Sequence, residues 1–339
     1  MKKKLVLLFV FSLFFAGCAG KDIENRSFVA AAGINNEKGE YKISLGLISP
    51  VKNNLLNSEI YTEKNCVPVL NDKTAMENGK SLYLGQMKAV VLGKDFIEKG
   101  GIDSFLDAAE NDPDINMKTI IASYDGDCEL LLNTMAENQN SLYLWNYYRN
   151  TESLPKNEKT DLQSFIRDKD MFGAAAIPIV RFDDKKIFVS GAYLYKDSVC
   201  GELSEKEMYG LMLLKGGLKN CRIKTQKGDF YITWQKTRLS FYDNGERPCA
   251  DIKINITAQP YSYGGKITGD DISAEMLNDI TTCIKKLQDS DADVSGIMYA
   301  MKNKSPKLFS KYENDILRKT AFNISLNVKI SDSCYKTAA

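Results

Sequence analysis

The sequence predicts an α+β fold of mixed α/β character, in which an export signal precedes three domains of mixed sheets with packed helices. Three observations support this prediction: the chain starts like a secretory signal, short strand patterns alternate with amphipathic helical patterns, and the character of that alternation changes twice. The predicted parts are a signal peptide at 1–17, a tether at 18–25, an N-terminal mixed α/β domain at 26–170, a small β-hairpin and helix domain at 171–225, and a C-terminal α+β domain at 226–339.

Length and composition fit a protein of this kind. The 339 residues are enough for two or three domains, and 44% hydrophobic with 26% charged residues is typical of a globular protein. The 45 basic and 44 acidic residues leave a formal net charge of +1. Because phosphate contacts dominate nucleic-acid affinity, nucleic-acid-binding domains usually carry a basic excess. We therefore expect no nucleic-acid partner.

The sequence contains no histidine. Histidine is the commonest general acid or base near pH 7 and the commonest metal ligand. Nucleophilic mechanisms that use a Ser-His or Cys-His pair within this chain are therefore excluded. Phosphate-binding glycine loops, a nucleophile elbow and EF-hand loops are also missing from the sequence. We expect a protein that is not an enzyme and uses no catalytic residue, cofactor or metal.

The N-terminus has the layout of a secretory signal. Lys2, Lys3 and Lys4 form a positive start, an apolar stretch covers 5–15, and small residues follow at 16–17. The apolar stretch is too short to cross a bilayer of about 30 Å, which requires about 20 helical residues. The sequence therefore predicts export rather than a membrane-spanning helix.

The residues at the end of this signal, Phe15-Ala16-Gly17-Cys18, resemble the lipobox of bacterial lipoproteins. In that family the cysteine is lipidated on sulfur and becomes the first residue of the mature chain, and Phe15 stands where the family usually has leucine. The resemblance implies lipidation of Cys18, a lipid-anchored tether at 18–25 and contact with membrane lipid through this anchor. Several acyl chains are needed to hold a protein stably on a membrane.

Seven further cysteines are scattered along the chain without a CxxC pair: Cys66, Cys128, Cys200, Cys221, Cys249, Cys283 and Cys334. This spacing does not indicate a zinc site. An exported chain permits disulfides, and an odd count leaves at least one thiol unpaired or paired between chains. Small buried hydrophobic residues are the favoured interpretation for most of them.

Strand and helix patterns alternate through the N-terminal domain. Strands are predicted at 28–34, 41–48, 86–92 and 117–122, with a turn at 35–39 and helices at 95–98, 104–110, 128–136 and 142–148. Leu162, Phe165 and Ile166 mark one more helical face. The aromatic residues Tyr143, Trp145, Tyr147 and Tyr148 form either a partner surface or, as we favour, a buried helix face.

The remaining elements define the two later domains. A strand through Ile177 and Phe182, a turn at 183–184 and a strand at 187–194 form a hairpin, and Ser204 with Glu207 fits a capping box for a helix that ends at 216–217. The C-terminal domain has strands at 230–241, 252–258 and 321–330 and helices at 273–288 and 307–319.

Carboxylate clusters are the remaining candidates for chemistry. They occur at Asp125 and Asp127, at Asp270 and Asp271, and at Asp289, Asp291 and Asp293. Paired carboxylates hydrolyse glycosides when they are held about 5–9 Å apart. The first pair is better explained as a turn, the second as acidic residues at a helix start, and the third as a solvated loop.

Several stretches together resemble the C-subunit family of spore germinant receptors, the Ger(x)C or GerAC-like lipoproteins. The first match consists of 22–24 and 28–34. The second consists of 82–93, Gly101-Ile102 and Asp112-Pro113. The third consists of Ile177-Pro178, 191–196, 201–203 and Glu207. The order and spacing of these stretches carry the resemblance, which spans nearly the whole mature chain. The chain departs from the family at 18–22, where members often have Cys-Trp-Asp, and at Gln86, where histidine is common.

The resemblance implies a non-catalytic subunit of three α/β or α+β domains, held by lipid at the outer face of the spore inner membrane. Such subunits act with two integral membrane subunits, of the A and B type, in a receptor for small nutrients. Receptor action releases ions and dipicolinate and begins germination. Whether this subunit contacts the nutrient itself stays open at the level of sequence.

Two other functions are compared with this one. A solute-binding lipoprotein of a transporter usually has two similar doubly wound lobes, and this chain lacks the repeated βα pattern that such lobes require. A cell-wall hydrolase would depend on the carboxylates of the Asp289 cluster. The germinant-receptor subunit is the preferred prediction.

Overall fold

The computed structural model describes residues 26–48, 58–63, 81–137, 142–150, 160–183, 186–216, 218–219, 221–226, 228–262 and 268–331. These residues form a nine-stranded sheet, a four-stranded sheet and ten helices. The α+β fold class predicted from the sequence is therefore confirmed. The signal, Cys18 and the tether, together with Cys66 and Cys334, lie outside the described residues.

The first sheet takes its strands from the first two thirds of the chain. Its elements are β1 (Arg26–Glu37), β2 (Glu40–Ile48), β3 (Ser58–Glu63), β4 (Ser81–Tyr83), β5 (Ala89–Gly93), α1 (Lys94–Glu98), α2 (Gly101–Asn111), β6 (Ile120–Tyr124), α3 (Cys128–Glu137), α4 (Tyr143–Asn150), α5 (Leu162–Phe172), β7 (Ala175–Asp183), β8 (Lys186–Tyr195) and β9 (Val199–Leu203). The strand order is β3-β2-β1-β5-β6-β7-β8-β9, and β4 pairs with the start of β1.

Helices cover both faces of this sheet. Helices α1, α2 and α5 pack on one face, whereas α3 and α4 pack on the other. Strands β1, β5, β6 and β7 run parallel, and their middle residues are buried from both sides. A parallel sheet is covered in this way because its crossover helices must lie on its faces.

The hairpin between β1 and β2 closes through a two-residue turn. Glu37 pairs with Glu40, and Lys38 and Gly39 between them have φ values of 52° and 89°. Two positive φ values are typical of the type I′ turn, whose twist matches that of the strands. The predicted turn at 35–39 was therefore too long: Asn35 and Asn36 belong to β1 and pair with β2.

One helix whose two ends the sequence predicted well starts with a side-chain cap. Helix α6 (Glu205–Lys215) begins with a capping box, in which the Ser204 amide donates to Glu207 at 2.7 Å and the Glu207 amide donates to Ser204 Oγ at 3.3 Å. It ends before Gly216, which has a positive φ. Both ends of this helix are as predicted, because the sequence contains the groups that satisfy its free amides and carbonyls.

The region predicted as a small middle domain contributes to both sheets. Its strands β7, β8 and β9 continue the first sheet, because β7 pairs with β6. Its helix α6 packs on helix α7 (Gly269–Ser290), and Met208, Leu211 and Leu214 share a core with the last third of the chain. The division into domains at 26–170, 171–225 and 226–339 stays a prediction.

The second sheet is formed by β10 (Cys221–Thr225), β11 (Gly228–Asp243), β12 (Pro248–Ser262) and β13 (Ala321–Ile330), in that order. Strand β13 is parallel to β12, and the crossover between them contains α7, α8 (Ile297–Lys304), α9 (Pro306–Tyr312) and α10 (Ile316–Lys319). Ile252, Ile254 and Ile256 of β12 are buried in the core that includes α7. The opposite face of this sheet carries exposed polar side chains such as Lys253 and Ser325.

Some elements differ from the sequence prediction. Strands β3, β4, β9 and β10 and helix α8 were not predicted, and β5 and β6 each start three residues later than expected. The helix predicted at 307–319 is divided into α9 and α10, because Asp315 adopts a left-handed conformation with φ of 60°. These elements are short, so their few residues give little periodicity.

Candidate functional site

A cleft of about 340 Å³ lies at the junction of the two sheets and contains part of the predicted carboxylate cluster. One wall is formed by the end of α5 and the start of β7, and the other by the segment from α9 to α10. The lining residues are Phe172, Gly173, Ala174, Lys196, Asp291, Asp293, Met298, Phe309, Glu313, Asn314, Asp315, Ile316 and Leu317.

Two contacts join the walls of this cleft. The rings of Phe172 and Tyr299 are 5.6 Å apart between centroids. Lys196 Nζ donates to the backbone oxygen of Asp291 at 3.1 Å and to its carboxylate at 3.0 Å. The Arg318 guanidinium lies 4.0 Å from the same carboxylate. Asp291 therefore has two cationic partners, one that directly follows β8 and one in α10.

Asp293 is a buried helix cap. Its carboxylate accepts hydrogen bonds from Ser295 Oγ at 2.5 Å and from the amides of Ile297 and Met298 at 3.3 and 2.6 Å. Burial raises the pKa of this carboxyl, whereas the hydrogen bonds oppose the rise. These amides are the unpaired donors at the start of α8. The arrangement explains Asp293 as a structural residue of the cleft.

The carboxylates of the two clusters on α7 and after it have different environments. Asp289 is exposed at the end of α7, Asp291 is in an ion pair and Asp293 caps α8. Asp270 lies at the opposite end of α7, and twenty helical residues span about 30 Å. That separation exceeds the spacing that glycoside hydrolysis requires.

The predicted turn at Asp125 and Asp127 lies at the carboxyl edge of the parallel strands. Asp127 accepts a hydrogen bond from the Glu129 amide at 2.9 Å, at the start of α3. Lys42 Nζ lies 2.8 Å from Glu129, 3.1 Å from Asp127 and 3.3 Å from Glu37. The hydrogen bond to Glu129 raises the pKa of Lys42 above its ordinary range. The pair belongs to a turn and an ion-pair cluster, and no group of side chains suited to a metal occurs in the described residues.

Asn35 ties the ends of three strands together at this edge. Its Nδ2 donates to Asp95 at 3.0 Å and to the Gly126 carbonyl at 2.9 Å, and its Oδ1 accepts from the Cys128 amide at 2.8 Å. A Cβ atom at Gly93 would lie 2.3 Å from this side chain, so the close approach requires glycine. Asn35 was predicted to lie in a turn, and its role was missed because its partners are 60 to 93 residues away.

The cysteines in the described ranges have free thiols. Cys128, Cys221, Cys249 and Cys283 are buried, whereas Cys200 is exposed. Burial raises the pKa of the Cys221 thiol to about 12 and raises the pKa of the Cys128 and Cys283 thiols above their ordinary range. The interpretation of most cysteines as small buried side chains fits these four residues.

The aromatic residues of α4 pack against β8. The hydroxyl of Tyr143 donates to the Ile187 carbonyl, and that of Tyr147 donates to the Val189 carbonyl at 3.5 Å. Tyr148 is buried, and Trp145 is partly buried in the same core. The helix therefore has the structural role that the sequence analysis favoured. No helix among the described residues is both long and apolar enough to cross a membrane.

The described residues define a class of protein: a two-sheet α+β protein in which strands β7, β8 and β9 of the first sheet contribute to the core of the second. Sequence comparison specifies the family. Residues 20–182 match the Spore germination protein N-terminal domain, and residues 190–333 match the Spore germination B3/GerAC like, C-terminal domain. The chain therefore belongs to the GerAC-like family of spore germination proteins, as its motifs predicted. No curated protein sequence matches it.

The chain also resembles a solved structure, the crystal structure of the GerBC protein. The TM-score is 0.56 at 14% sequence identity, and the alignment covers 91% of this chain and 99% of that one. At this identity the similarity shows a shared fold. It extends over both sheets of the chain.

Proposed function

We propose that the chain is the non-catalytic C subunit of a nutrient germinant receptor, lipid-anchored through Cys18 at the outer face of the spore inner membrane. Two integral membrane subunits, of the A and B type, are its partners. The observation that carries the proposal is that the two germination family domains occupy residues 20–182 and 190–333 in order. A subunit of this kind is needed for the germination response to small nutrients.

The position of the first family domain supports the anchor. The match begins at residue 20, two residues after Cys18. A mature chain that starts at Cys18 would consist almost entirely of the two family domains, with a short tether to the lipid. In this proposal the lipid on Cys18 is the membrane attachment.

The geometry of the acidic residues supports a non-catalytic role. Asp127, Asp291 and Asp293 each have structural partners that account for their positions. A receptor subunit that works through contacts with neighbouring proteins requires no reactive side chain. The solute-binding alternative is not favoured, because the described residues form two sheets of unlike size and topology rather than two similar lobes.

The test uses spores that lack this chain and its paralogues and that are complemented with variants. With Cys18→Ser, we expect lipid labelling to disappear, the protein to leave the membrane fraction, and the nutrient response to fall to that of the deletion. Cys200→Ser is the matched control, because Cys200 is an exposed free thiol and should not affect any of the three measurements.

Two results would contradict the proposal. Persistent lipid labelling of the Cys18→Ser protein would exclude the anchor. Unchanged germination of the deletion strain toward every nutrient tested would exclude the receptor function.

A further inference from the structure

An aromatic and cationic cluster, which we call the β1 tip, lies at the start of the described chain. It consists of Arg26, Phe28 and Tyr83. The Arg26 guanidinium lies 4.9 Å from the centroid of the Tyr83 ring, and the Phe28 and Tyr83 rings meet edge to face with centroids 5.6 Å apart. All three side chains are partly exposed. The tip therefore presents aromatic and cationic groups together at the protein surface.

The β1 tip is ordered before any partner binds. Arg26 and Phe28 are paired in parallel with Ser81 and Tyr83. The Tyr83 ring lies over Gly85, where a Cβ atom would be 2.6 Å from the Tyr83 hydroxyl oxygen. A ligand that binds this cluster does not have to order the backbone, which reduces the entropy lost on binding.

The tip projects from the amino edge of the first sheet. Ala31 is the first residue of β1 that pairs with β5. Arg26 lies five residues before it, which corresponds to about 17 Å along an extended strand. The tip is thus the part of β1 that extends beyond β5 and pairs with the short strand β4 instead.

The length of the tether places the tip near the membrane, a step that rests on the proposed lipid at Cys18. Eight residue steps separate Cys18 from Arg26, and an extended chain spans about 3.5 Å per residue, so Arg26 lies within about 28 Å of Cys18. A group held this close has a high effective concentration at the bilayer surface. Weak contacts are then sufficient for docking.

We propose that the β1 tip docks on the phospholipid headgroup layer of the bilayer that holds the Cys18 lipid. Tyrosine is enriched at membrane interfaces because its ring is apolar and its hydroxyl is polar. The arginine guanidinium forms paired hydrogen bonds with phosphate oxygens, and its stem packs along apolar surface. Docking orients the carboxyl edge of the parallel strands, with Asn35 and Lys42, away from the bilayer.

The experiment uses tryptophan fluorescence in the lipidated full-length chain. The sequence has 2 tryptophans, Trp145 and Trp234. The reporter variant combines Tyr83→Trp with Trp145→Phe and Trp234→Phe. The control variant is Trp145→Phe alone, which retains the exposed Trp234 of the second sheet. Each is reconstituted in phosphatidylcholine–phosphatidylglycerol vesicles with and without brominated phosphatidylcholine.

We expect the reporter indole to lose most of its fluorescence in brominated vesicles and the Trp234 control to lose little. These vesicles contain no other protein, so a tip that docks on a partner subunit instead of lipid would leave the reporter unquenched. Equal quenching of reporter and control would also overturn the proposal, because it would indicate a chain that lies on the membrane without a preferred surface.

A second measurement avoids substitution at the tip. In the otherwise native chain, phenylglyoxal should modify Arg26 several-fold more slowly on vesicles than in the soluble Cys18→Ser protein. Arg247, exposed in the turn between β11 and β12, should react equally in both. Equal reaction of Arg26 in both states would overturn docking.

The result separates docking from anchoring. A lipid-labelled, vesicle-bound chain with an unquenched reporter and an unprotected Arg26 would exclude only the β1 tip contact. A chain without lipid label that does not bind vesicles would exclude the proposed anchor, and the docking proposal with it.

Discussion

The two sheets of this protein differ in how their faces are covered. In the first sheet, the neighbouring residues Ile120 and Ile121 of β6 are both buried, in cores on opposite faces. In the second sheet, Ile252 of β12 is buried toward α7, whereas Lys253 beside it is exposed. Successive side chains of a strand point to opposite faces. A sheet covered on both faces therefore requires a continuous apolar run, and a sheet covered on one face requires alternation.

This difference also decides where polar side chains lie. The parallel strands in the middle of the first sheet are covered on both faces, and the buried amide of Asn35 lies at the ends of these strands. The second sheet directs many polar residues to its open face, and Gln235 is a buried exception that bonds to the end of α6. The buried Ser123 of the first sheet bonds to one backbone carbonyl, whereas Asn35 bonds to three partners, so Asn35 is the more connected of these two polar side chains.

The largest expected effect tests the covered faces directly. Replacing Ile120 or Ile121 by alanine should lower the free energy of unfolding by about 2–5 kcal/mol in each case, because either change leaves a cavity in a closed core. In β12, Ile252→Ala should have a similar effect. Urea denaturation followed by circular dichroism measures these changes.

Lys253→Ala is the matched control in the same strand, and its effect should stay within about 0.5 kcal/mol. The loss of unfolding free energy should be similar for Ile120→Ala and Ile121→Ala. If these two losses differed as strongly as those of Ile252→Ala and Lys253→Ala, one face of β6 would be open, and the proposed difference between the two sheets would be wrong.

A smaller effect is expected from the two buried amides. Asn35→Ala should lower the free energy of unfolding by about 2–3 kcal/mol and Gln235→Ala by about 1–2 kcal/mol. In each case the former partners stay buried but lose their hydrogen bond, so the cost of removing them from water is no longer offset. Removing Asn35 leaves the Asp95 carboxylate and the Cys128 amide short of a partner. Gln235 bonds to neutral backbone groups of Leu213 and Leu218, so its loss is less severe.

Asn303→Ala, at an exposed position of α8, serves as the control and should have little effect. If Gln235→Ala lowered the free energy of unfolding more than Asn35→Ala, the buried amide of the first sheet would not contribute more to stability than that of the second. Thermal and urea unfolding of the three variants make this comparison.

The smallest effect concerns the helix layer between the sheets and depends on pH. Burial raises the pKa of Asp279 on α7 to about 6, and Glu275 adds to the rise. The folded chain therefore binds more protons than the unfolded chain between pH of about 4 and 6, and the stability from this group is lost as pH rises through that window. Because Asp279 is half-exposed, we expect a loss of about 1 kcal/mol rather than the full value of the shift.

Asp279→Asn should remove this loss and flatten the dependence of unfolding free energy on pH between pH 4 and 7. Asp289→Asn, at the exposed end of the same helix, is the control and should leave the slope unchanged. If unfolding free energy depends on pH in the native chain and the slope is unchanged in Asp279→Asn, groups other than Asp279 cause that dependence.

The elements that the sequence predicted well are those whose information is local. The alternation at 321–330 gave the bounds of β13, and Ser204 with Glu207 gave the start of α6. Strands β9 and β10 have five residues each and were missed, because so short a segment carries no distinctive period. The break at Asp315 was missed because a left-handed residue interrupts a helix without a glycine to mark it.

The polar sites were predictable only in part. The sequence placed Asp289, Asp291 and Asp293 in one cluster, and the fold separates their environments into an exposed helix end, an ion pair and a buried cap. The partners of Asp291 include Lys196, which lies 95 residues earlier in the chain. Such contacts depend on how the sheets pack, and no local pattern encodes them.

The amino-acid sequence by itself determined the family motifs, the α+β class and most helix and strand positions, because these depend on periodicity, caps and short-range order. The tertiary structure alone decided that β7 to β9 join the first sheet while α6 packs toward the second. It also brought Asn35 to Cys128 and Arg26 to Tyr83. The physical reason is that burial and pairing are properties of residues brought together from distant parts of the chain, and no local pattern of the sequence contains both partners.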